Sequence, residues 1–167
     1  SITSQIRTAT NSNVWRVLCP RGTATVYVAG QTGPANASYE SICTLTASKY
    51  SRSSLTPFIV GCAVPIATQT IAIGGTLSFP PGTSTTITTA VVQGVKTWLD
   101  SLPIRSGEVQ ENINLAMIMR KIFELDPTDQ VIPEVFASTM GYTLQRPLDL
   151  LPSTVGAIFE ADVSSLK

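Results

Sequence analysis

This chain has no histidine among its 167 residues, so it lacks the side chain that most hydrolytic enzymes use to activate a nucleophile. Without an imidazole, neither a Ser-His-Asp nor a Cys-His arrangement can form, and ordinary histidine-containing zinc sites are also excluded. We therefore expect no catalytic residues and predict that the protein is not an enzyme.

Two further patterns resemble chemical sites, and both favour a structural interpretation. Glu108 and Glu111 are one helical turn apart, as a carboxylate pair would be, but acids in the first turn of a helix are stabilised by its dipole. Gly74-Gly75 is not followed by the Gly-Lys-Ser/Thr of a phosphate-binding loop. We interpret the acids as helix-stabilising and the glycines as a flexible turn.

The three cysteines, Cys19, Cys43 and Cys62, are odd in number and lack the spacing of metal ligands. A free cysteine in this context usually behaves as a small buried apolar residue. We therefore predict no metal site, no disulfide framework and no cofactor.

Charge is divided between two parts of the chain. Residues 1–105 hold seven bases against two acids and residues 106–167 hold four bases against nine acids, so the two parts carry +5 and −5. This division indicates one positive and one negative layer, which suits a protein with a polyanion on one side. A division that only tunes solubility is the alternative.

The composition favours association with other copies. Only 13% of the residues are charged while 43% are hydrophobic, and mean hydropathy is +0.23. With so little charge to cover a monomer, we expect apolar surface to be buried between subunits. No apolar run reaches the length of a membrane span and the first residues lack signal-peptide features, so we expect a soluble protein made in a cytoplasm.

Hydrophobic patterning predicts the elements that position these residues. Alternating, β-branched stretches predict strands at 5–9, 14–18, 24–28, 39–47, 57–64 and 90–102, with a long excursion over 65–89. A helix is predicted over 107–125, capped by Ser106, and a second over 133–140, with Pro133 in its first turn and Gly141 past its end. The apolar arc of the first helix is wider than packing on one sheet requires.

Three segments occur in a specific order: 39–45 (YESICTL); 64–71 (VPIATQTI) before the Gly-Gly pair; and 102–104 (LPI) followed by the long helix, Asp126, Ile132-Pro133 and Gly141-Tyr142. Their order and spacing, over roughly residues 38–142, resemble the coat proteins of single-stranded RNA bacteriophages, the levivirus group. The resemblance implies an α+β fold in which an N-terminal β-hairpin and a five-stranded antiparallel sheet precede two C-terminal helices that pack on a partner subunit's sheet.

On this interpretation residues 1–167 form a single coat-protein domain. Residues 1–105 would be the hairpin and sheet, 106–141 the two helices, and 142–167 a C-terminal extension of unknown role. The sheet would face the packaged genome, and the helices would lie on the outside of the shell.

The resemblance also implies two sets of functional residues. The RNA-binding set joins the neutral Thr44 and Thr46, which match the inner sheet face, to the bases Lys49, Arg52 and Lys96 as candidate phosphate contacts. The set assigned to the dimer interface lies on the two predicted helices and comprises Ile113, Met117, Ile118, Ile122 and Phe136. Solvated bases at strand ends are the structural alternative for the first set.

The expected function is a structural capsid protein that forms homodimers and then an icosahedral shell around single-stranded RNA, with an RNA hairpin as a possible ligand of the inner sheet face. The expected location is the virion, after synthesis in the bacterial host cytoplasm, with no membrane and no small-molecule substrate as partner. The alternative is a β-rich phage tail, fibre or adhesion-type binding domain without nucleic acid. A small hydrolase using carboxylate or Ser/Lys chemistry is a third hypothesis, which no convergent set of residues supports.

Overall fold

The computed structural model describes residues 1–20, 25–53, 61–63 and 67–167, with 51–53 and 63 described by their backbone alone. The chain forms two compact units built from interleaved segments. The first unit comprises Ser1–Thr68, Ser101–Ser106 and Thr154–Ile158, and the second comprises Gln69–Asp100, Gly107–Ser153 and Phe159–Lys167. A single domain over 1–167 stays a prediction, because interleaved units need not fold separately.

The first unit combines two helices with a small mixed sheet. Its elements are α1 (Ile2–Ala9), β1 (Arg16–Leu18), β2 (Thr25–Ala29), a 3₁₀ turn (Ala37–Tyr39), α2 (Glu40–Ser53) and β3 (Gly61–Ala63). The strand order is β1-β2-β3, with β1 antiparallel and β3 parallel to β2. Helix α1 packs against α2, and α2 packs against β3.

The first unit has an apolar core to which each of these elements contributes. The fully or almost fully buried members are Ile6, Val14, Val26, Val28, Ala35, Cys43, Ala47 and Cys62. The prediction that the cysteines are small core residues is confirmed for Cys43 and Cys62, and Cys19 packs half-buried against the same core.

The second unit is a four-stranded sheet with two helices. Its elements are β4 (Thr68–Ser78), α3 (Thr85–Asp100), a 3₁₀ turn (Val109–Glu111), α4 (Leu115–Leu125), β5 (Ile132–Thr139), β6 (Tyr142–Leu144) and β7 (Ile158–Leu166). The strand order is β6-β5-β4-β7, and β5 is antiparallel to both β4 and β6. Hydrogen bonds from Ile158 N to Ala67 O and from Lys167 N to Gly75 O show that β7 is parallel to β4.

Both helices of the second unit bury one apolar stripe. In α3 the buried residues are Val91, Val92, Val95 and Leu99, and in α4 they are Leu115, Ile118 and Ile122. These spacings follow the helical period of 3.6 residues. On β4, burial instead alternates along Gln69, Ile71, Ile73 and Leu77, so one face of the sheet is covered and the other is left open.

The prediction of a five-stranded antiparallel sheet followed by two C-terminal helices was wrong. The fold is α+β, but it has four helices and two sheets of three and four strands. The predicted strand at 57–64 is described only at Gly61–Ala63, and its other residues lie outside the described part of the chain.

Two stretches predicted as strands are helices. The segment 39–47 was taken to alternate, but Tyr39, Cys43 and Ala47, four residues apart, are the ones that face the core, and this spacing belongs to a helix. The segment 90–102 is rich in β-branched residues, yet it forms most of α3 because tertiary burial at helical spacing outweighs β-propensity.

The N-terminal hairpin was also wrong. Residues 5–9 lie in α1, which begins after a capping box in which Ser1 and Ser4 exchange hydrogen bonds. The turn chemistry at 11–13 is real, because Asn11 and Ser12 have positive φ angles, but this turn joins α1 to β1. The strands predicted at 14–18 and 24–28 are confirmed in β1 and β2 to within two residues, except that Ala24 lies outside the described part of the chain.

The second predicted helix, 133–140, is strand β5. Met140 and Gly141 have φ angles of 51° and 81° and form a two-residue turn between Thr139 and Tyr142, which are paired across β5 and β6. Two positive φ angles are the signature of a tight hairpin. Gly141 therefore closes a hairpin, and the prediction that it follows the end of a helix was wrong.

The first predicted helix was too long at its N-terminal end. Helix α4 spans Leu115–Leu125, and its cap is Asn114, whose side chain accepts a hydrogen bond from Met117 N at 2.9 Å. The predicted stop at Asp126 is confirmed, because Asp126 is the C-terminal cap. None of the described helices is long and apolar enough to cross a bilayer.

Candidate interaction surface

The open face of the four-stranded sheet is an ordered surface without a covering element within the second unit. We define it by the residues that point away from the helices on each strand: Thr70, Ala72, Gly74, Thr76 and Ser78 on β4; Ile132, Glu134, Phe136 and Ser138 on β5; Thr143 on β6; and Glu160, Asp162 and Ser164 on β7. Cross-strand partners on one face make a continuous surface.

Phe136 is the central apolar group of the open face. It pairs with Gly74, and its ring lies so close that a Cβ added to Gly74 would be 2.6 Å from the ring. The glycine thus provides the space for the aromatic ring. Phe136 remains 41% exposed and Ile132, further along the same strand, is 64% exposed. The open face therefore presents apolar groups to solvent.

The charge of the open face has one sign. Within the described limits of β4, β5, β6 and β7 there are three acids, Glu134, Glu160 and Asp162, and no lysine or arginine. The Ser164 hydroxyl and backbone N–H donate to Asp162, and these hydrogen bonds lower the pKa of that carboxyl below its ordinary value. The surface is acidic at neutral pH.

The sheet beneath the open face is fixed by a buried polar contact. Gln69 Nε2 donates to Thr139 Oγ1 at 3.0 Å and to Pro152 O at 2.6 Å, while Thr139 Oγ1 donates to Thr70 O at 3.0 Å. Because Gln69 and Thr139 are both buried, these bonds hold β4, β5 and the segment before β7 in one register.

The free edge of β7 is occupied by side chains of α3. Ala161 N donates to Asp100 Oδ1 at 2.7 Å, and Ala161 O accepts from Lys96 Nζ at 2.7 Å. Lys96 and Asp100 are joined by a salt bridge of 3.0 Å. An added strand would need these same backbone groups, so the clamp of Lys96 and Asp100 protects this edge from pairing.

The predicted RNA-binding residues do not lie together on a sheet. Thr44, Thr46 and Lys49 are on α2, and Arg52 is in its last turn, where its side chain is outside the described part. Thr46 Oγ1 donates to Ile42 O within the helix at 2.7 Å. Lys96 is on α3, in the second unit, and belongs to the clamp on β7. Their role in binding RNA stays a prediction.

Helix α2 has a broad, shallow depression of about 530 Å³. It is lined by Ala37, Glu40, Ser41, Thr44, Leu45 and Ser48. The lining contains one acid and no base, which makes it unsuitable for neutralising phosphate.

Arginines of the first unit are used inside the fold. Arg16 is buried and donates to the carbonyl oxygens of Gly30, Leu102 and Gly33 at 2.7, 2.6 and 2.8 Å. Arg105 is also buried and donates to Pro103 O.

Arg7 has a comparable structural role. Its Nε donates to Trp15 O at 2.8 Å, and its guanidinium lies 4.0 Å from the centroid of the Trp15 ring. The Trp15 ring is thus stacked against the protein's own arginine.

The predicted dimer-interface residues are divided between core and surface. Ile113, Ile118 and Ile122 are buried within a single copy, so they are already covered without a partner. Met117 is half-buried on α4, while Phe136 is exposed on β5. The dimer interface stays a prediction, and Phe136 is the member of the set whose exposure suits it best.

The outer side of the helices carries a small pocket of about 170 Å³. It is lined by Trp98 of α3 and by Met117, Arg120, Lys121 and Glu124 of α4. Lys121 forms a salt bridge of 3.6 Å with Glu124, whereas Arg120 forms none with another described residue. Phe123, on the same exposed side of α4, is 52% exposed.

Within the described residues, no cluster of cysteine, aspartate and glutamate side chains could hold a metal ion. The thiols of Cys43 and Cys62 have raised pKa values, mainly because burial disfavours the thiolate, and they are accordingly poor nucleophiles. Neither the open sheet face nor the pocket on the helices was predicted from the sequence. The alternation of polar and apolar residues from Thr68 to Ser78 was the signal that could have found the sheet face.

No protein-family model matches this chain, and no curated protein is significantly similar to it.

Proposed function

We propose that this protein is a non-enzymatic structural subunit of the phage tail, fibre or adhesion type, which acts through protein–protein contact and does not package nucleic acid. The observation that carries this proposal is the open sheet face, an ordered acidic surface with exposed Phe136 and Ile132 and no covering element within its unit. Surfaces that combine exposed apolar groups with a polar surround are typical of protein contacts.

The contacts that the basic side chains make within the fold support a function that does not involve nucleic acid. Arg16 and Arg105 are buried, Arg7 is stacked on Trp15, and Lys96 is bound to Asp100 and to a carbonyl group. Phosphate neutralisation needs bases that are free at the surface. Four of the seven bases that make residues 1–105 positive thus have structural partners, and the acidic open face would repel RNA.

The experiment is the purification of the chain followed by light scattering, electron microscopy and the ratio of absorbance at 260 and 280 nm. We expect oligomers with the absorbance ratio of pure protein. Closed shells that contain RNA would contradict the proposal and favour the coat-protein hypothesis. Monomers at every protein and salt concentration would contradict both.

A further inference from the structure

We infer that copies of this chain associate head to tail, with the open sheet face of one copy seated on the outer helix face of the next. The outer helix face is defined by Trp98, Met117, Arg120, Lys121, Phe123 and Glu124. The inference rests on the proposed function and adds to it the two surfaces and the partner, which is a second copy of this chain.

Growth by strand addition is disfavoured at both edges of the sheet. On β7 the clamp of Lys96 and Asp100 occupies the N–H and C=O groups of Ala161, near the middle of the strand. On the other side, β6 offers only three residues, Tyr142–Leu144. Short and blocked edges are the usual protection against edge-to-edge pairing. The faces of the unit are therefore better suited to association than its edges.

Two open sheet faces would not pack well against each other. Each carries Glu134, Glu160 and Asp162 without a base in the described strands, so a symmetric contact would bring like charges together. Such juxtaposition costs free energy and excludes wrong partners. The open face requires a basic partner surface.

The outer helix face is net positive, because Arg120 and Lys121 outnumber Glu124, the one acid that lines its pocket. Arg120 is exposed and forms no salt bridge with another described residue, and Lys121 lies beside it with only a long 3.6 Å pairing to Glu124. The pocket next to them measures about 170 Å³. An apolar cavity of about 150 Å³ accommodates benzene, so this pocket has room for one aromatic side chain. Phe136, at the centre of the acidic face, supplies such a side chain.

The two surfaces lie on opposite sides of the second unit, because the helices cover one side of the sheet and the open face is the other. A contact between different surfaces of identical subunits is heterologous and repeats from copy to copy. The expected product is therefore a ring or a filament, with a contact that weakens as salt screens the charges.

Charge reversal in the full chain tests the inference. Arg120→Glu and Glu134→Arg alter exposed side chains on the two opposing surfaces, and each is expected to raise the dissociation constant of self-association at least tenfold. Lys49→Glu is the matched control, because it makes the same change of charge on exposed α2, and it should associate as the wild type does. Circular dichroism and thermal unfolding establish that each variant is folded.

Mixing the two variants distinguishes a heterologous contact from a symmetric one. The unaltered sheet face of Arg120→Glu can bind the unaltered helix face of Glu134→Arg. At a concentration where each variant alone is monomeric, an equimolar mixture should therefore form at least a 1:1 complex. Wild-type assembly that persists in both variants, or a mixture that stays monomeric, would overturn the head-to-tail contact and leave the proposed function standing. A wild-type protein that never assembles would overturn both.

Discussion

Asp126 shows how one side chain ends a helix and starts a strand. Its carboxylate accepts from Thr128 N and Oγ1 at 2.8 and 2.7 Å, and from the backbone N–H groups of Gln130 and Val131 at 3.0 and 2.9 Å. Burial alone would raise the pKa of this carboxyl, but the four hydrogen bonds outweigh it and hold the pKa below its ordinary value. The charged form is therefore the one that stabilises the fold.

We expect Asp126→Asn to lower the free energy of unfolding by about 1–2 kcal/mol at pH 7, because charge-assisted hydrogen bonds become neutral ones. Since folding lowers the pKa, this stabilisation is complete above the unfolded value, about 3.9, and disappears as the pH falls through the folded value. Urea unfolding at pH 7 and pH 3 measures the difference, which should shrink at pH 3.

Asp129→Asn is the control for that measurement. Asp129 is exposed and has a φ of 55°, a conformation that asparagine also tolerates. The Asp129→Asn substitution removes one negative charge, as Asp126→Asn does, but three residues further along the chain. It should leave the free energy of unfolding nearly unchanged. An equal loss in both variants would mean that net charge, and not the hydrogen bonds of Asp126, is responsible.

The pairing of β4 and β5 depends on a glycine at their closest approach. Gly75 has a φ of 121°, and a Cβ at this position would collide with the carbonyl oxygen of Glu134 on β5. A side chain here is excluded both by the backbone conformation and by the neighbouring strand.

Gly75→Ala is expected to destabilise the protein by about 3 kcal/mol, which combines backbone strain with overpacking. Gly82 separates the two causes, because its φ is 84° but nothing lies within 4 Å of an added Cβ. Gly82→Ala should cost only about 1–2 kcal/mol. Thermal unfolding of both variants checks this, and equal losses would contradict the proposed collision.

A separate prediction concerns the edge of β7 that Lys96 and Asp100 protect. Asp100→Ala combined with Lys96→Met removes the salt bridge and both side-chain partners of the Ala161 backbone. We expect the freed edge to pair with other chains, so the variant should aggregate and bind thioflavin T at concentrations where the wild type does not. A variant that stays as dispersed as the wild type would show that the clamp is not needed to protect this edge.

For the whole protein, the internal use of its bases predicts weak affinity for nucleic acid. We expect labelled single-stranded RNA to bind with a dissociation constant no tighter than about 10⁻⁴ M at 0.15 M salt, the weak end of non-specific binding. Fluorescence anisotropy measures it. Lys49→Glu should change little, whereas micromolar binding with a steep salt dependence that Lys49→Glu abolishes would favour the coat-protein hypothesis.

Several features of this protein could be read from its sequence because they depend on neighbouring residues. The stop at Asp126, the turn at Asn11 and Ser12, and the strands β1 and β2 all follow from local backbone preference. The burial of Cys43 and Cys62 follows from composition. By contrast, residues 39–47 also fit the alternating pattern of a strand. Only packing against the core shows that the buried residues are four apart, as in a helix.

The open face and the role of the bases were decided by tertiary structure alone. Which face of the sheet is covered depends on where α3 and α4 pack, and nothing local to Phe136 or Glu134 specifies this. In the sequence alone, Arg16 and Lys96 cannot be distinguished from solvated bases. In the structure, each donates a hydrogen bond to a carbonyl oxygen distant in the chain. Composition fixes how many charged and apolar groups a chain has, but long-range contacts determine which of these groups remain at the surface.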